Sequence, residues 1–516
     1  MFAISLTSCR NDFDFEPSTG GLEFSKTTVY LDTVFTNIGS STYRLKVYNR
    51  SDKDISIPQI RLAKGNASKY RIMVDGMTGE DADGNGVGDG KIFNNVELLA
   101  NDSLFVFIEV TADVASANPV DFLYTDKIEF TNIAGPSQNV DLVTLIQDAI
   151  FIFPNRTLPD NIKETLNLSG NSTTIIGHQL TDAELNWTST KPYVVYGYAL
   201  VPNGKTLTIG AGTKVHFHAN SGIIVDRQGV LNVNGQLSDY DAQGNITVDR
   251  EVRFEGDRLE PSFEDTAGQW GTILIMSETA STINYLTLKN AAIGLYVIPL
   301  DIDDYYVPKL NLTNSQVYNC TNVGIFAIGA NINSNNTVVN YCGQASLACT
   351  YGGSYNFTHC TFNNDWNSSQ QVAVLLNDYF ENDTTLYINN PTNVFNFNNC
   401  IIYGSNQVEF SIERKGEHPF AHNLKNSIIK FSTTNIAILN DPLYDFDNPT
   451  GPYNNSCYIA TNSQLYNPKF ENANLNKMWL SENLDLAADP AFSTFNDILN
   501  HSRAVSPDLG AYQFVE

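Results

Sequence analysis

Asn311-Leu-Thr-Asn-Ser-Gln-Val317 is the first copy of a phrase that decides the fold of this chain. Each copy has a large apolar residue, Asn or His two places later, then Ser or Cys, and another apolar residue two places further on. Three more copies follow: Asn356-Phe-Thr-His-Cys-Thr-Phe362, Asn396-Phe-Asn-Asn-Cys-Ile-Ile402 and Asn423-Leu-Lys-Asn-Ser-Ile-Ile429. A looser copy surrounds Asn336. The Asn or His positions, which are Asn314, Asn336, His359, Asn399 and Asn426, are 22, 23, 40 and 27 residues apart.

Repeats of this length indicate stacked units, each too small to bury its own hydrophobic face. Within a copy the apolar residues recur every second position, which is the period of a strand and not of a helix. The phrase therefore predicts a parallel β-helix. We expect the recurrent Asn to form an internal side-chain ladder and the Ser or Cys to form a column of small residues. The step of 40 residues is either two turns or one turn with an insertion.

Length and charge narrow the possible functions. A chain of 516 residues is long enough for two or three domains and a large core. Its net charge is −26, from 56 acidic and 30 basic residues. Such a field repels nucleic acid and anionic membrane surfaces and attracts divalent cations, so nucleic acid is not an expected partner. The sequence has no run of about 18 apolar residues of the kind that spans a membrane.

Cysteine usage separates the N-terminus from the rest of the chain. Leu6-Thr-Ser-Cys9 is similar to a bacterial lipobox, and an acidic, polar stretch follows it. We therefore expect residues 1–20 to be a truncated lipoprotein signal and tether, with lipid attached to Cys9; the alternative is an ordinary free cysteine. The remaining six have no zinc-site spacing and are predicted to be mostly reduced, inward-facing thiols: Cys320, Cys342, Cys349, Cys360, Cys400 and Cys457.

The chain before the repeats has a different pattern. Residues 21–153 contain five or more short strand-like runs separated by polar turns, which predicts an Ig-like antiparallel β-sandwich. Such a domain would act as a spacer or an interaction unit. Pro154 marks the predicted boundary, residues 154–516 are assigned to the β-helix, and its regular part is expected to begin at Lys205 after a lead-in. The predicted fold class is all-β.

Residues 205–295, which include Gln269-Trp-Gly271, together with Pro507-Asp-Leu-Gly-Ala-Tyr512, carry a family resemblance. They resemble the right-handed parallel β-helix, or pectin-lyase-like, lipoproteins of Bacteroidota. Together with the lipobox, the resemblance covers most of the chain. It implies a lipid-anchored protein exposed on the outer membrane. The resemblance is specific for architecture and weak for function, because many such proteins have no assigned activity.

An Asp-rich loop is the strongest candidate site in the sequence. In Asp81-Ala-Asp-Gly-Asn-Gly-Val-Gly-Asp-Gly90, oxygen-bearing side chains alternate and a glycine stands at the sixth position, as in loops that bind Ca²⁺. The expected ligands are Asp81, Asp83 and Asn85 through side chains, Val87 through its carbonyl, and Asp89. The twelfth position is Ile92, where an EF-hand has Glu, so another acidic residue would have to substitute. The alternative is a flexible acidic hairpin, and either role would be structural.

Other candidates are weaker. His216 and His218 flank Phe217 as a His-x-His pair without a third ligand, which favours outward-facing strand residues over a metal site. Asp301, Asp303 and Asp304 could bind Ca²⁺ against an acidic sugar, as in polysaccharide lyases. Arg414, Lys415 or His418 could then take a proton, although they lie more than 100 residues away. Solvated loops are the simpler interpretation, and the paired Asp, Gly-His-Gly and Arg-x-Lys motifs of β-helix polygalacturonases are absent from the sequence.

Aromatic residues within the step of 40 could bind a ligand. Trp366, Tyr379 and Phe380 could stack on sugar rings, since binding surfaces on repeat proteins often come from insertions. Plain packing of the loop is the alternative. We therefore expect a non-catalytic cell-surface lipoprotein that binds or presents a glycan or another envelope component. A calcium-dependent polysaccharide lyase or glycoside hydrolase and a purely structural stalk remain open, because function belongs to sites and not to folds.

Overall fold

The computed structural model describes residues 14–118, 122–157, 162–241, 246–302, 306–381, 385–388, 393–417, 420–454, 456–493, 495–504 and 506–515. The chain is nearly all β and forms two compact units, Met1–Ala149 and Ile150–Glu516. The predicted boundary at residue 154 lies a few residues after this division. The part of the chain described here contains no helix long and apolar enough to cross a membrane.

The first unit consists of two sheets that share one hydrophobic core. Along long strands such as Ser103–Val110 and Leu123–Phe130, buried residues alternate with more exposed ones, so each sheet turns one face inward. The ten strands are β1 (Glu16–Pro17), β2 (Glu23–Phe24), β3 (Thr28–Phe35), β4 (Tyr43–Tyr48), β5 (Ile55–Leu62), β6 (Tyr70–Val74), β7 (Ile92–Leu98), β8 (Ser103–Val110), β9 (Leu123–Phe130) and β10 (Gln138–Gln147). One sheet has the order β1-β5-β9-β10-β3 with β7 also paired to β5, and the other has the order β2-β4-β8-β6.

The second unit is built from three rows of parallel strands, which we name rows A, B and C. The chain visits them in the cyclic order A, B, C, and each strand pairs in parallel with the strand one cycle later. Row A is an 11-stranded sheet: Ile150–Ile152, Tyr193–Val195, Lys214–Phe217, Val252–Gly256, Leu286–Lys289, Gln316–Cys320, Val338–Cys342, Thr361–Asn364, Ile401–Gly404, Ile428–Lys430 and Tyr458–Ala460.

Rows B and C belong to one 17-stranded sheet. Row B contains the end of Asn171–Gln179, then Tyr198–Val201, Gly222–Val225, Ile273–Ile275, Leu295–Val297, Val372–Asn377 and Phe410–Glu413. Row C contains Asn186–Trp187, Thr206–Gly210, Val230–Asn234, Ser281–Asn284, Lys309–Thr313, Asn393–Asn398 and Phe420–Lys425. Two long strands, Val323–Asn335 and Ala345–Thr358, run through both rows.

Shorter elements connect or cover the rows. Antiparallel pairs join Arg156–Thr157 to Ile162–Lys163, Thr165–Leu168 to Asn171–Gln179, Asp239–Tyr240 to Ile246–Val248, Tyr379–Glu381 to Leu386–Ile388, and Phe470–Asn472 to Lys477–Leu480. One short α-helix spans Ile436–Leu439. The 3₁₀ turns are Gly65–Ala67, Val114–Ser116, Asp182–Glu184, Pro261–Phe263, Pro442–Tyr444, Ala473–Leu475 and Pro490–Phe492.

Inward side chains of the three rows form one continuous core. The second apolar residue of the repeated phrase lies in an in-register column of row A, where Val317, Val339, Phe362, Ile402 and Ile429 follow one another on successive strands. All five are fully buried. The rows begin at Ile150, earlier than the expected start at Lys205, because the lead-in already contains strands that pair with the later ones.

The repeated Asn or His turns the chain from row C to row A. Asn314, Asn336, His359, Asn399 and Asn426 all have φ between 47° and 54°, a left-handed conformation that Asn tolerates better than most residues. The predicted ladder is present in part, since Asn336 Nδ2 donates to Asn314 Oδ1 (2.9 Å) and Asn399 Nδ2 lies 3.0 Å from His359 Nε2. These side chains lie at the corner beneath the C-terminal segment and not inside the apolar core, because Asn336 and Asn399 also donate to backbone carbonyls of that segment.

The predicted column of small residues is confirmed. Ser315, Thr337, Cys360, Cys400 and Ser427 are each fully buried at the start of row A. The six described cysteines are free thiols, and five of them are buried. The step of 40 residues is one turn with an insertion, because Asn356 and Asn396 are direct neighbours in the sheet.

Candidate functional site

The Asp-rich loop brings three carboxylates together in the first unit. Single oxygens of Asp81, Asp83 and Asp89 all lie within 4.8 Å of one another. Among the described residues, this is the cluster of metal-ligating side chains that could hold an ion. An all-oxygen set of this kind suits Ca²⁺ or Mg²⁺ better than softer metals. The residues therefore fit the expected cation.

Hydrogen bonds within the loop hold these carboxylates in place. Asp81 accepts from the backbone N–H groups of Gly84 (2.7 Å) and Gly86 (2.7 Å), and these bonds, the one from Gly86 first, lower the pKa of Asp81. Asp89 accepts from Ala82 N at 2.8 Å. Of the other expected ligands, Asn85 already uses its side-chain oxygen to accept from Val87 N at 2.9 Å. The three aspartates form the carboxylate cluster, and each of them accepts hydrogen bonds within the loop, as Asn85 does.

The connection from row B to row C carries a second group, which we name the corner cluster: Asp378, Tyr379, Phe380, Glu381, Glu413, Arg414 and Lys415. The Tyr379 hydroxyl donates to Glu413 Oε2 (2.6 Å), and Lys415 Nζ lies 4.2 Å from the centre of the Tyr379 ring. Lys415 also pairs with Glu381 at 2.5 Å. Burial, and then the bond to Glu413, raise the pKa of Tyr379 to about 12. Two predicted ligand-binding aromatics and two candidate bases thus meet at one corner.

Asp378 organises the backbone of this corner. It is 2% exposed, and its two oxygens accept from Lys415 N (2.8 Å) and Gly416 N (3.1 Å), with Arg414 Nε at 3.5 Å. A carboxylate engaged in this way fixes the backbone of the loop Lys415–Gly416. The Phe380 and Tyr387 rings add an aromatic surface, with centroids 6.2 Å apart, and Tyr351 lies 6.4 Å from Tyr387.

Asp301 is not brought to this corner. Asp301 follows the row B strand Leu295–Val297, four strands before the one that precedes Arg414. At about 4.8 Å per strand, the ends of those two strands are about 19 Å apart along the stack. Asp303, Asp304 and His418 lie outside the described residues, as does Cys9.

Trp366 and the histidine pair lie elsewhere. Trp366 is on the connection from row A to row B, where its ring centroid is 5.1 Å from that of Tyr341. The strand Val372–Asn377 separates it from Tyr379 and Phe380. His216 lies on the strand face opposite the core residues Val215 and Phe217, as expected, but its side chain is only 3% exposed, and this burial lowers its pKa. His218 instead contacts Asp257 Oδ2 at 2.7 Å.

A further surface was not predicted. On the outward side of row C, one in-register column consists entirely of Asn and Thr: Asn186, Thr208, Asn232, Thr282, Asn311, Asn333, Asn356, Asn396 and Asn423. A parallel column two positions on holds Asn234, Asn284, Thr313, Asn335, Thr358, Asn398 and Lys425. We name these two columns the amide face. In the sequence, this surface could have been recognised from the first Asn of the repeated phrase, which alternates with the inward-facing apolar residues.

The amide face is tied together along the stack. Asn333, Asn356, Asn396 and Asn423 each donate from Nδ2 to the Oδ1 of the preceding Asn in the column, at 3.4, 3.0, 2.8 and 3.1 Å. The nine side chains of the first column are exposed or half-buried. The protein therefore has two Asn ladders. One lies at the turn from row C to row A, and the other lies on the outer surface of row C.

Comparison with known proteins gives little further information. No protein-family profile and no curated protein matches this chain. Similar solved structures include the periplasmic chaperone SfaE, at 16% identity over 25% of this chain and 58% of that chain, with a TM-score of 0.17. A family 123 glycoside hydrolase from Clostridium perfringens matches at 11% over 24% of this chain and 25% of its own, with a TM-score of 0.16. The ASH/PapD-like domain of human CEP192 matches at 15% over 28% and 98%, with a TM-score of 0.16.

Proposed function

We propose that this chain is a non-catalytic lipoprotein of the cell surface that binds a glycan of the envelope or its surroundings. In this proposal residues 150–516 form a right-handed parallel β-helix of the pectin-lyase-like kind, and the first unit is an Ig-like sandwich that serves as a spacer. Lipid on Cys9 anchors the protein in the outer membrane and is its only contact with lipid. Ca²⁺ held by Asp81, Asp83 and Asp89 stabilises the first unit.

The corner cluster carries the proposal. It places aromatic rings beside hydrogen-bonding charged groups, as Tyr379 beside Glu413 and Lys415 illustrates. Sugar rings present apolar faces and hydroxyl edges, so such a mixture suits them. Binding is favoured over cleavage because Asp301 follows a strand that ends about 19 Å from the strand before the candidate base Arg414.

The test is a retention screen with the purified full chain on immobilised β-glucan, mannan, xylan, polygalacturonate and alginate, with calcium and with chelator. The screen reads both retention and the appearance of new reducing or unsaturated ends. We expect retention without new ends. New ends would overturn the non-catalytic assignment, and the absence of retention on every polymer would overturn glycan binding.

A matched pair of variants locates the surface. The double variant Tyr379→Ala/Phe380→Ala removes the aromatic part of the corner cluster and should weaken retention about tenfold, as expected for stacking contacts of about 1.4 kcal/mol. Tyr30→Ala removes an aromatic side chain that is 67% exposed in the first unit, and should leave retention unchanged. Equal effects of the two changes would contradict the assignment of the corner cluster.

A separate variant tests the lipid anchor. Cys9→Ala should move the protein out of the membrane fraction of its host.

A further inference from the structure

We propose that the amide face binds a single uncharged, extended polysaccharide chain lying along the stack of strands. The proposal rests on the proposed function and adds to it the class of glycan and a second contact surface besides the corner cluster. The first column of the face runs through nine successive strands in unbroken register, from Asn186 to Asn423. At about 4.8 Å per strand, its length is about 38 Å.

Along its bonded part, from Asn311 to Asn423, the ladder leaves hydrogen-bonding capacity unused at each Asn. A carboxamide has two N–H donors and an oxygen with two lone pairs. Between Asn356 and its neighbours, the ladder uses one N–H toward Asn333 and one lone pair toward Asn396. One donor and one acceptor per Asn therefore remain for a ligand. A row of identical donor–acceptor pairs matches a polymer whose hydroxyl groups also repeat along its length.

The ladder also fixes the side chains before a ligand arrives. Asn333, Asn356 and Asn396 are each held by the Asn before and the Asn after them, and Asn311 and Asn423 are held by one neighbour each. Ordering a rotamer-rich side chain on binding costs roughly 0.5–1.5 kcal/mol, and a side chain that is already ordered avoids most of this cost. The face is thus preorganised for weak contacts repeated many times.

The charge of the face selects the polymer. The chain has 56 acidic residues, yet the amide face contains none, and Lys425 is its one charged residue. A neutral polymer meets neutral amides and hydroxyls here, whereas the field of a protein with a net charge of −26 opposes a polyanion. A protein partner would need buried aromatic or apolar anchors, which two columns of Asn and Thr do not provide. Electrostatics and composition together therefore favour an uncharged glycan.

The experiment uses the full chain and three single variants on the polymers of the retention screen. Asn356→Asp removes the N–H donors and sets a negative charge next to the Oδ1 of Asn333, so retention on the bound neutral polymer should fall about tenfold or more. Asn356→Thr keeps the residue type found elsewhere in the column and should stay within about threefold of the wild type. Asn462→Asp is the charge-matched control, because Asn462 Oδ1 only accepts from backbone N–H groups. It should behave as wild type.

A length series gives the second readout. Oligosaccharides cut from the retained neutral polymer should bind more tightly as they lengthen, and the gain should stop once they span about 38 Å. Circular dichroism and the melting temperature establish that each variant is folded.

Retention that is unaffected by Asn356→Asp, or preferred binding of polygalacturonate, would overturn this inference and leave the proposed function standing. If sedimentation equilibrium shows a dimer that Asn356→Asp abolishes, the occupant is a second copy of the chain and the inference is wrong. Absence of retention on all polymers would instead overturn the proposed function itself.

Discussion

Glu409 lies fully buried at the connection from row A to row B, and we predict that it holds a proton in the folded protein. Its Oε1 accepts from Asn406 N (2.6 Å) and from Gln371 Nε2 (3.5 Å). Its Oε2 and the Oε1 of Gln371 have no hydrogen-bond partner among the described residues. Two buried acceptors left without donors are costly, and a proton on Glu409 supplies the missing donor.

The surroundings of Glu409 set the size of the effect. Lys430 and Asp365 are the other titratable groups that interact with it, and burial is the largest cause that raises its pKa, from 4.5 to about 8. At about 1.4 kcal/mol per pH unit, this difference corresponds to about 5 kcal/mol. Between pH 4.5 and 8 the folded chain keeps a proton that the unfolded chain has released. The free energy of unfolding should therefore fall as pH rises through this window. Above pH 8 the fall that is due to Glu409 is complete.

Glu409→Gln removes the titration and keeps the shape. The amide of the variant can donate where the protonated acid does and can accept from Asn406 N as before. We expect equal stability of variant and wild type near pH 4.5, and a variant more stable by up to about 5 kcal/mol above pH 8.

Urea unfolding followed by tryptophan fluorescence is the assay. All four tryptophans, Trp187, Trp270, Trp366 and Trp479, belong to the second unit, so the signal reports that unit alone. Glu471→Gln, at an exposed position, is the control and should leave the pH dependence unchanged. A wild-type protein equally stable at pH 5 and pH 8, or a variant less stable than wild type at pH 8, would refute the reasoning.

Three other changes test separate parts of the structure. Asn399→Ala removes the hydrogen bonds of the side chain with the N–H (2.8 Å) and the carbonyl (3.0 Å) of Asp489. The free energy of unfolding should fall by about 1–3 kcal/mol, and limited proteolysis of the C-terminal segment should become faster. An unchanged rate of cleavage would contradict this prediction. Gly222→Ala places a Cβ 2.0 Å from the carbonyl oxygen of Thr272. The free energy of unfolding should fall by about 1–3 kcal/mol, and the melting temperature should fall with it. An unchanged melting temperature would be inconsistent with this packing. Asp81→Asn should abolish calcium-induced thermal stabilisation, and a response equal to that of the wild type would exclude Asp81 as a ligand.

The strands and the buried columns could be predicted because their pattern is local. Residues such as Phe357 and Phe362 alternate with polar neighbours within one phrase, and burial of one face follows from that period. Cys360 and Cys400 could be placed in one column because Ser occupies the same position in other copies. Each of these inferences needs only a few consecutive residues and the knowledge that the copies stack.

The corner and the outer surface were harder to predict. The sequence shows that Asn recurs, but not which Asn turns the chain; Asn314 does so with a left-handed backbone, while Asn311 faces outward and forms the second ladder. Glu409 and its neighbours could not be found in this way. Gln371 and Lys430 come from different connections and strands, and only the stacking of three turns brings them to Glu409. No short sequence pattern predicts that these residues lie close together.

The unequal treatment of the rows argues against a purely structural stalk. The outer face of row A is covered by the C-terminal segment, in which Met478, Leu480 and Tyr512 pack against Val338 and Ile401 or near them. A stalk has no need to cover one row and leave another open. Nor does it need an outer face without carboxylates in a chain whose net charge is −26, because random placement would distribute acidic residues over every exposed row. The amide face consists of Asn and Thr apart from Lys425, is ordered by its ladder from Asn311 to Asn423 and is left open, and each of these properties suits a surface that binds a repeating neutral ligand.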